Sequence, residues 1–155
     1  MIVYRIGKET RRFRAVDLSG AGAAAEGARW NDATVFMLYT STTRALACLE
    51  TLVHIAEPSP LPLDRFLLDI EIPDDAWATR AVFDVSAHPG WDALPESVTA
   101  TTWGTTWANS QSTLLAEVPS IVIPEEKNIL INPIHPDFSR VRLANTRKWT
   151  YDPRL

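Results

Sequence analysis

A single cysteine, Cys48, stands in the chain. No intrachain disulfide can form, and no zinc-ligand spacing can be built around it. One thiol fits a reducing cytosol, and its place in the apolar pattern RALACLETL predicts a small packing residue rather than a nucleophile. Long hydrophobic runs are missing as well. The opening MIVYRIGKE acquires charge at Arg5, and no stretch approaches the ~20 apolar residues that cross a bilayer. A cytoplasmic protein with neither signal peptide nor membrane span is expected. Positive charge is not in excess: 15 Lys and Arg stand against 19 Asp and Glu, a formal net charge of −4. That argues against direct nucleic-acid binding, which needs many cationic contacts to phosphate. The basic clusters Arg11, Arg12, Arg14 and Arg140, Arg142, Arg147, Lys148 read as solvated faces or ion-pair partners.

Glycine is scarce too, six residues against eleven prolines, so the connections are expected to be stiff and turn-rich. No G-x-G-x-x-G or Walker pattern occurs, and no G-x-S-x-G elbow or Ser/His/Asp order suggests a hydrolase triad. His54, His88 and His135 are too isolated in sequence to predict a metal site.

What is present is the composition of a globular domain: 46% hydrophobic residues, 22% charged and six tryptophans, with 155 residues suiting one domain and one core. The spacing predicts a strand over IVYRIG and a loop through Asp17 to Glu26 broken by Gly20, Gly22 and Gly27. TVFMLYTS reads as a buried strand ending near Tyr39. A helix follows, capped by Ser41 or Thr42 and running to about Glu57, with Ala45, Leu46, Leu49, Leu52, Val53 and Ala56 as its apolar stripe. Glu50 falls on the flank of that stripe, with His54 one turn further along. RFLLDIEIP predicts a strand with one wet face, and Ala76 to Thr102 an irregular stretch. TTWANSQST predicts two helical turns, PSIVIP and NILINP a hairpin, and Lys148 to Tyr151 a last strand.

Four residues on this outline have chemistry to offer. Arg29, in a loop before the buried strand, presents a fork of donors suited to phosphate or carboxylate, or pairs with a surface acid. Tyr39 can stack on a flat ring or fill the core. Glu50, a carboxylate beside an apolar stripe, can stabilise positive charge on a sugar carbon or hold a ribose hydroxyl; equally it can pair with Arg44 or His54 at the rim. Ser120 can donate to a carbonyl or cap a turn.

Taken together, GARWND (27 to 32), LYTSTTRALACLETLVH (38 to 54), EVPSIVIPEEKNILINPIHPDF (117 to 138) and the opening VYRI resemble the RES-domain family over essentially the whole chain. The family's arginine, glutamate and serine fall on Arg29, Glu50 and Ser120. The resemblance implies one RES domain over residues 1–155 and an ADP-ribosyltransferase-like α+β fold, with mixed or antiparallel sheets and flanking helices. It also implies a bacterial toxin that uses NAD+ as substrate without a metal, paired in a hetero-oligomer with an antitoxin carrying an Xre/Cro-type helix-turn-helix domain. Family members release nicotinamide by phosphorolysis or hydrolysis, or transfer ADP-ribose to a protein; a non-catalytic nucleotide- or protein-binding domain is the alternative of a different class. By resemblance Arg29 grips phosphates or the nicotinamide end, Tyr39 stacks on nicotinamide, and Glu50 orients the ribose and steadies an oxocarbenium-like transition state. Ser120 holds substrate by a hydrogen bond, and Asn132 supports it. Nicotinamide is already a good leaving group, so no activated nucleophile is implied. One departure stands out: the family's glycine pair before the arginine is Gly27–Ala28 here, and alanine disfavours positive φ, so a slightly displaced loop is expected.

Overall fold

The computed structural model describes residues 1–55, 60–95 and 98–155. In chain order these form β1 (Ile2–Lys8), α1 (Ala21–Glu26), β2 (Leu38–Ser41), α2 (Arg44–Leu52), β3 (Arg65–Glu71), α3 (Asp74–Ala78) and β4 (Ala81–Val82). Then come α4 (Val98–Ser110), β5 (Leu115–Pro119), β6 (Lys127–Ile131), a 3₁₀ turn at Pro136–Arg140 and β7 (Arg142–Trp149). Among the described residues the strands make one seven-stranded sheet in the order β4-β5-β6-β2-β1-β3-β7. Only β4 and β5 run parallel, so the sheet is mixed and the fold is α+β, as expected. No helix of the described residues is long and apolar enough to cross a membrane.

Because side chains alternate along a strand, the strands sort their apolar residues onto two faces. One face is a continuous cluster that includes Val3, Leu38, Leu68, Ile70, Leu115, Ile129 and Ile131. The other is divided. Leu130, Ala116 and Val118 pack with Trp30 and with Ala100, Trp107 and Ala108 of α4; Ile6 and Leu67 pack with Ala47 and Cys48 of α2 and with Tyr151. Leu67 and Leu68 are therefore both buried and serve opposite clusters, so the face of β3 expected to be wet, with Arg65, Asp69 and Glu71, is wet only in part.

The division matches a seam in the sheet. β1 and β3 are in register at seven positions, from Ile2↔Glu71 to Lys8↔Arg65, whereas β1 and β2 share one, Tyr4↔Ser41. Beyond it the two central strands part, and Arg5 Nη1 bridges to the Tyr39 carbonyl at 2.9 Å.

Several boundaries differ from those the sequence predicts. The cap of α2 is Thr43, whose hydroxyl accepts from the Leu46 amide at 3.0 Å, and the helix ends at Leu52 rather than near Glu57. Its buried residues are Leu46, Ala47 and Cys48, while Ala45 and Val53 of the predicted stripe are exposed; Ala56 and Glu57 lie outside the described residues. β2 continues through Ser41, which puts Tyr39 inside the strand.

Residues 21–26, expected as loop, form α1 between Gly20 and Gly27, the alanine run supplying helix propensity. The stretch expected to be irregular contains β4 and the first turns of α4. In α4 the threonines hide a helical pattern carried by small residues, Ala100, Gly104 and Ala108, together with Trp107. β5 ends where PSIVIP begins: the strand is Leu115–Pro119, and Ser120 closes it instead of opening one, its hydroxyl accepting from the Val122 and Ile123 amides at 3.0 Å. The last strand, β7, runs over Arg142–Trp149, so it begins before Lys148 and ends before Tyr151; its residues through Lys148 are exposed, leaving no apolar alternation to read.

Candidate active site

A cavity of about 670 Å³ opens where β1 and β2 part, between the two clusters of the divided face. Its lining includes Arg5, Arg29, Tyr39, Glu50, His54 and Asn128.

Arg29 follows α1 in a tight loop. Gly27 takes the left-handed φ of 76° needed there, and Ala28 is not among the positive-φ residues, so the methyl group in place of a second glycine meets no backbone strain. The next side chain anchors the loop: Trp30 is 3% exposed, with ring centroids 4.8 Å from Phe83 and 5.9 Å from both Trp91 and Trp103. Beneath it, Gly104 of α4 lies so close that a Cβ would stand 1.9 Å from the Trp30 carbonyl oxygen. Arg29 Nη1 donates to the carbonyls of Trp91 and Ala93, each at 3.2 Å. Among the described residues no carboxylate forms an ion pair with it.

Tyr39 ties this loop to the sheet. Its hydroxyl accepts from the Trp30 amide at 3.0 Å and donates to Asn31 Oδ1 at 2.7 Å. Asn31, 1% exposed, donates from Nδ2 to the carbonyls of Ala23, Asp32 and Val35. The phenol end is thus fixed while the residue lines the cavity.

Glu50 comes from the last turns of α2, half-buried. Its Oε1 accepts twice, from Ser120 Oγ at 2.7 Å and from Asn128 Nδ2 at 2.5 Å. Asn128 is oriented in turn by Ser41 Oγ, which donates to its Oδ1 at 2.7 Å, an arrangement that follows from the Ser41↔Asn128 register of β2 and β6. Among the described residues Oε2 accepts no hydrogen bond, and it is not one of the buried unpaired side-chain atoms, which are Arg5 Nε and Trp149 Nε1. One carboxylate oxygen is therefore locked and the other open to the cavity. Arg44 does not neutralise it: that guanidinium pairs with Asp69 at 2.9 Å and lies 4.4 Å from the Tyr4 ring centroid. No cation forms an ion pair with Glu50 among the described residues.

Arg29, Tyr39 and Glu50 thus meet at one cavity, and Ser120 joins them through Glu50. Ser120 itself is fully buried, its proton given to Glu50 and its oxygen accepting from two amides. Asn132 is not brought to the cavity. Also fully buried, it donates to the Ala108 carbonyl at 2.8 Å and accepts from the Ile134 amide at 3.2 Å, which joins the end of β6 to the end of α4. Three residues were missed by the sequence reading: Ser41 and Asn128, because their partnership depends on strand register, and Arg5, whose signal was one charge within an apolar strand. Among the described residues no three His, Cys, Asp or Glu side chains gather as a metal would require.

The family model described as RES domain matches residues 2–153. The chain is 47% identical over 153 residues to the "Prs ADP-ribosylating toxin" of Sphingobium sp. (strain YBL2), covering 98% of this chain and 94% of that protein. It is 36% identical over 156 residues to "Toxin Res" of Yersinia enterocolitica, covering 100% and 99%. Among solved structures, a chain in the crystal structure of the M. tuberculosis MbcT–MbcA toxin–antitoxin complex shares the fold at a TM-score of 0.59 and 15% identity, covering 96% of this chain and 84% of that one.

Proposed function

Because the chain belongs to the RES-domain family, we propose that it is the toxin of a toxin–antitoxin pair and consumes NAD+ by breaking the bond between nicotinamide and ribose. The observation that carries this reading is the half-locked Glu50 carboxylate in a cavity walled by Arg29 and Tyr39. The match over residues 2–153 supports reading residues 1–155 as one RES domain.

As the bond breaks, its electron pair stays on the nicotinamide nitrogen, which leaves neutral, and positive charge develops on the ribose carbon and ring oxygen. A carboxylate fixed beforehand stabilises that charge without having to reorganise. In this reading Oε2 of Glu50 meets the ribose, Tyr39 offers its ring to nicotinamide, and Arg29 meets the phosphates or the nicotinamide end. Ser120 works through Glu50, consistent with a hydroxyl already engaged on every side. An acceptor oxygen or nitrogen then bonds to the ribose carbon and releases its proton to solvent.

Water, phosphate or a protein side chain would complete the same first step. The name of the Sphingobium relative, an ADP-ribosylating toxin, favours a protein acceptor. The complex that contains the structural neighbour supports a cognate antitoxin, proposed here to carry an Xre-type helix-turn-helix domain and to hold the toxin in a cytoplasmic hetero-oligomer.

The test is to incubate the antitoxin-free chain with NAD+ alone, with inorganic phosphate, and with a protein extract. Nicotinamide and the ADP-ribose product are then resolved by chromatography. Nicotinamide release in any arm is expected, and the arm that accelerates it identifies the acceptor; no release in all three sinks the reading.

Asn128→Ala probes the lock on Glu50. The Ser120 bond remains, but Oε1 loses one donor and Ser41 loses its acceptor. A stability loss of about 1–2 kcal/mol is expected from the lost hydrogen bonds. A fall of roughly tenfold in nicotinamide release should accompany it, the size expected when a positioned group is loosened. Thermal melts beside single-turnover assays check both, and unchanged turnover would show that Asn128 only supports the fold.

A further inference from the structure

The turn of α2 that carries Glu50 is weakly finished by its own sequence. No basic residue stands in it, and its C-cap, Val53, is right-handed with φ −63°, where helices commonly close on a left-handed glycine. Thr51, in the same turn, folds its hydroxyl back on the helix and donates to the Cys48 carbonyl at 2.8 Å. Its Oγ1 also lies 2.6 Å from the hydroxyl of Tyr151, 100 positions further along the chain. Because the only hydroxyl proton of the threonine is given to Cys48, Tyr151 is the donor of this second bond. Burial pushes the Tyr151 phenol up from its ordinary value, so it keeps that proton at neutral pH. Tyr151 is 4% exposed, shares a cluster with Ala47 and Cys48 of α2, and meets Trp149 edge-on at 6.2 Å.

We propose that Tyr151 is a positioning residue for Glu50: its hydroxyl, acting through Thr51, fixes the last turn of α2 so that the free carboxylate oxygen keeps one direction in the cavity. Ser120 and Asn128 pin Oε1, but they hold only the tip of a side chain with several rotatable bonds. If the backbone beneath it shifts, Oε2 swings about the pinned oxygen. Tyr151 holds the other end, at the residue next to Glu50, so tip and base are fixed from two distant parts of the chain. The positioning role rests on the NAD+ reading above; the anchoring of the turn does not.

Tyr151→Phe keeps the ring and removes only the hydroxyl. Amide hydrogen exchange over residues 50–53, followed by mass spectrometry, should become roughly tenfold faster as the turn loses its anchor. In NAD+ turnover kcat should fall roughly tenfold with KM unchanged, because a misaimed carboxylate is felt in the transition state and not in binding. Thr51→Ser keeps a hydroxyl for both bonds and should match the native chain in exchange and kcat. Adding Tyr151→Phe to Thr51→Val should lower kcat no further than Thr51→Val alone, since both remove one and the same bond. Native exchange in Tyr151→Phe would overturn the proposal, and so would faster exchange with native kcat, which would make the tail a support of the fold alone; either leaves the NAD+ reading standing. A collapsed melting transition in Tyr151→Phe and Thr51→Ser alike would overturn it too. No nicotinamide release from the native chain would remove the NAD+ reading and the positioning role together, while the exchange data would still decide whether Tyr151 anchors the turn.

Discussion

Glu50→Gln is expected to reduce nicotinamide release from NAD+ by at least ~10²–10³-fold, the loss typical of removing one preorganised electrostatic group, with little change in melting temperature. The reason lies in how the two carboxylate oxygens are used. Ser120 and Asn128 both donate to Oε1, and a glutamine can keep its single carbonyl oxygen there. Its amide nitrogen then takes the place of Oε2, so the cavity receives a neutral donor where it had half of a negative charge. The internal network survives while stabilisation of the positive ribose is lost. Single-turnover release, measured beside circular dichroism and a thermal melt, tests this. Turnover within threefold of the native chain would exclude Glu50 as the group that meets the developing charge.

Gly104→Ala should be the most damaging small substitution. The new Cβ would stand 1.9 Å from the Trp30 carbonyl oxygen, 2.8 Å from its carbon and 3.1 Å from the Trp30 Cβ. Two of these are backbone atoms, and Trp30 is gripped by Phe83, Trp91 and Trp103. Either α4 or the Arg29 loop must move. Overpacking of this kind costs about 1–3 kcal/mol and at times more. In a chain of this size that lowers the melting temperature by roughly 2–4 °C per kcal/mol. Because Arg29 precedes Trp30, NAD+ turnover should fall as well. Gly22→Ala is the control: it sits in α1 with nothing within 4 Å of its added Cβ, and should be neutral or slightly stabilising. A Gly104→Ala chain as stable as the native one would show that the loop shifts without cost and is not set by α4.

The residues that meet at the cavity were legible where side-chain chemistry conflicts with its local pattern. Glu50 beside an apolar stripe and Arg29 before a buried strand announced themselves, and Tyr39 and Ser120 were placed with them by resemblance. Asn132 looked equivalent on the same grounds, yet its amide is consumed at the end of α4. Ser41 and Asn128 carry no local signal, because what joins them is the pairing of strands 87 positions apart in the chain. Among the elements, β1, β3 and β6 could be read from alternating or continuous apolar residues. Of α4 only the second half could be read, in the helical turns of TTWANSQST; the first half could not, since the buried side is made largely of alanine and glycine, which register weakly as hydrophobic. β7 could be read only at its end, near Lys148 and Trp149, because seven exposed residues in succession precede Trp149.

The Glu50 clamp also has a direction in time. Arg29, Tyr39 and Glu50 all belong to the first third of the chain, but Ser120 and Asn128, which hold the carboxylate, follow Glu50 by 70 and 78 positions. At the usual ~5–20 residues per second of synthesis, the ribosome needs roughly 4–14 seconds to pass from the glutamate to the first of its holders. A nascent or truncated product ending before Ser120 therefore carries Glu50 without the groups that fix its carboxylate, and the arrangement proposed for NAD+ is complete only with the β5–β6 hairpin.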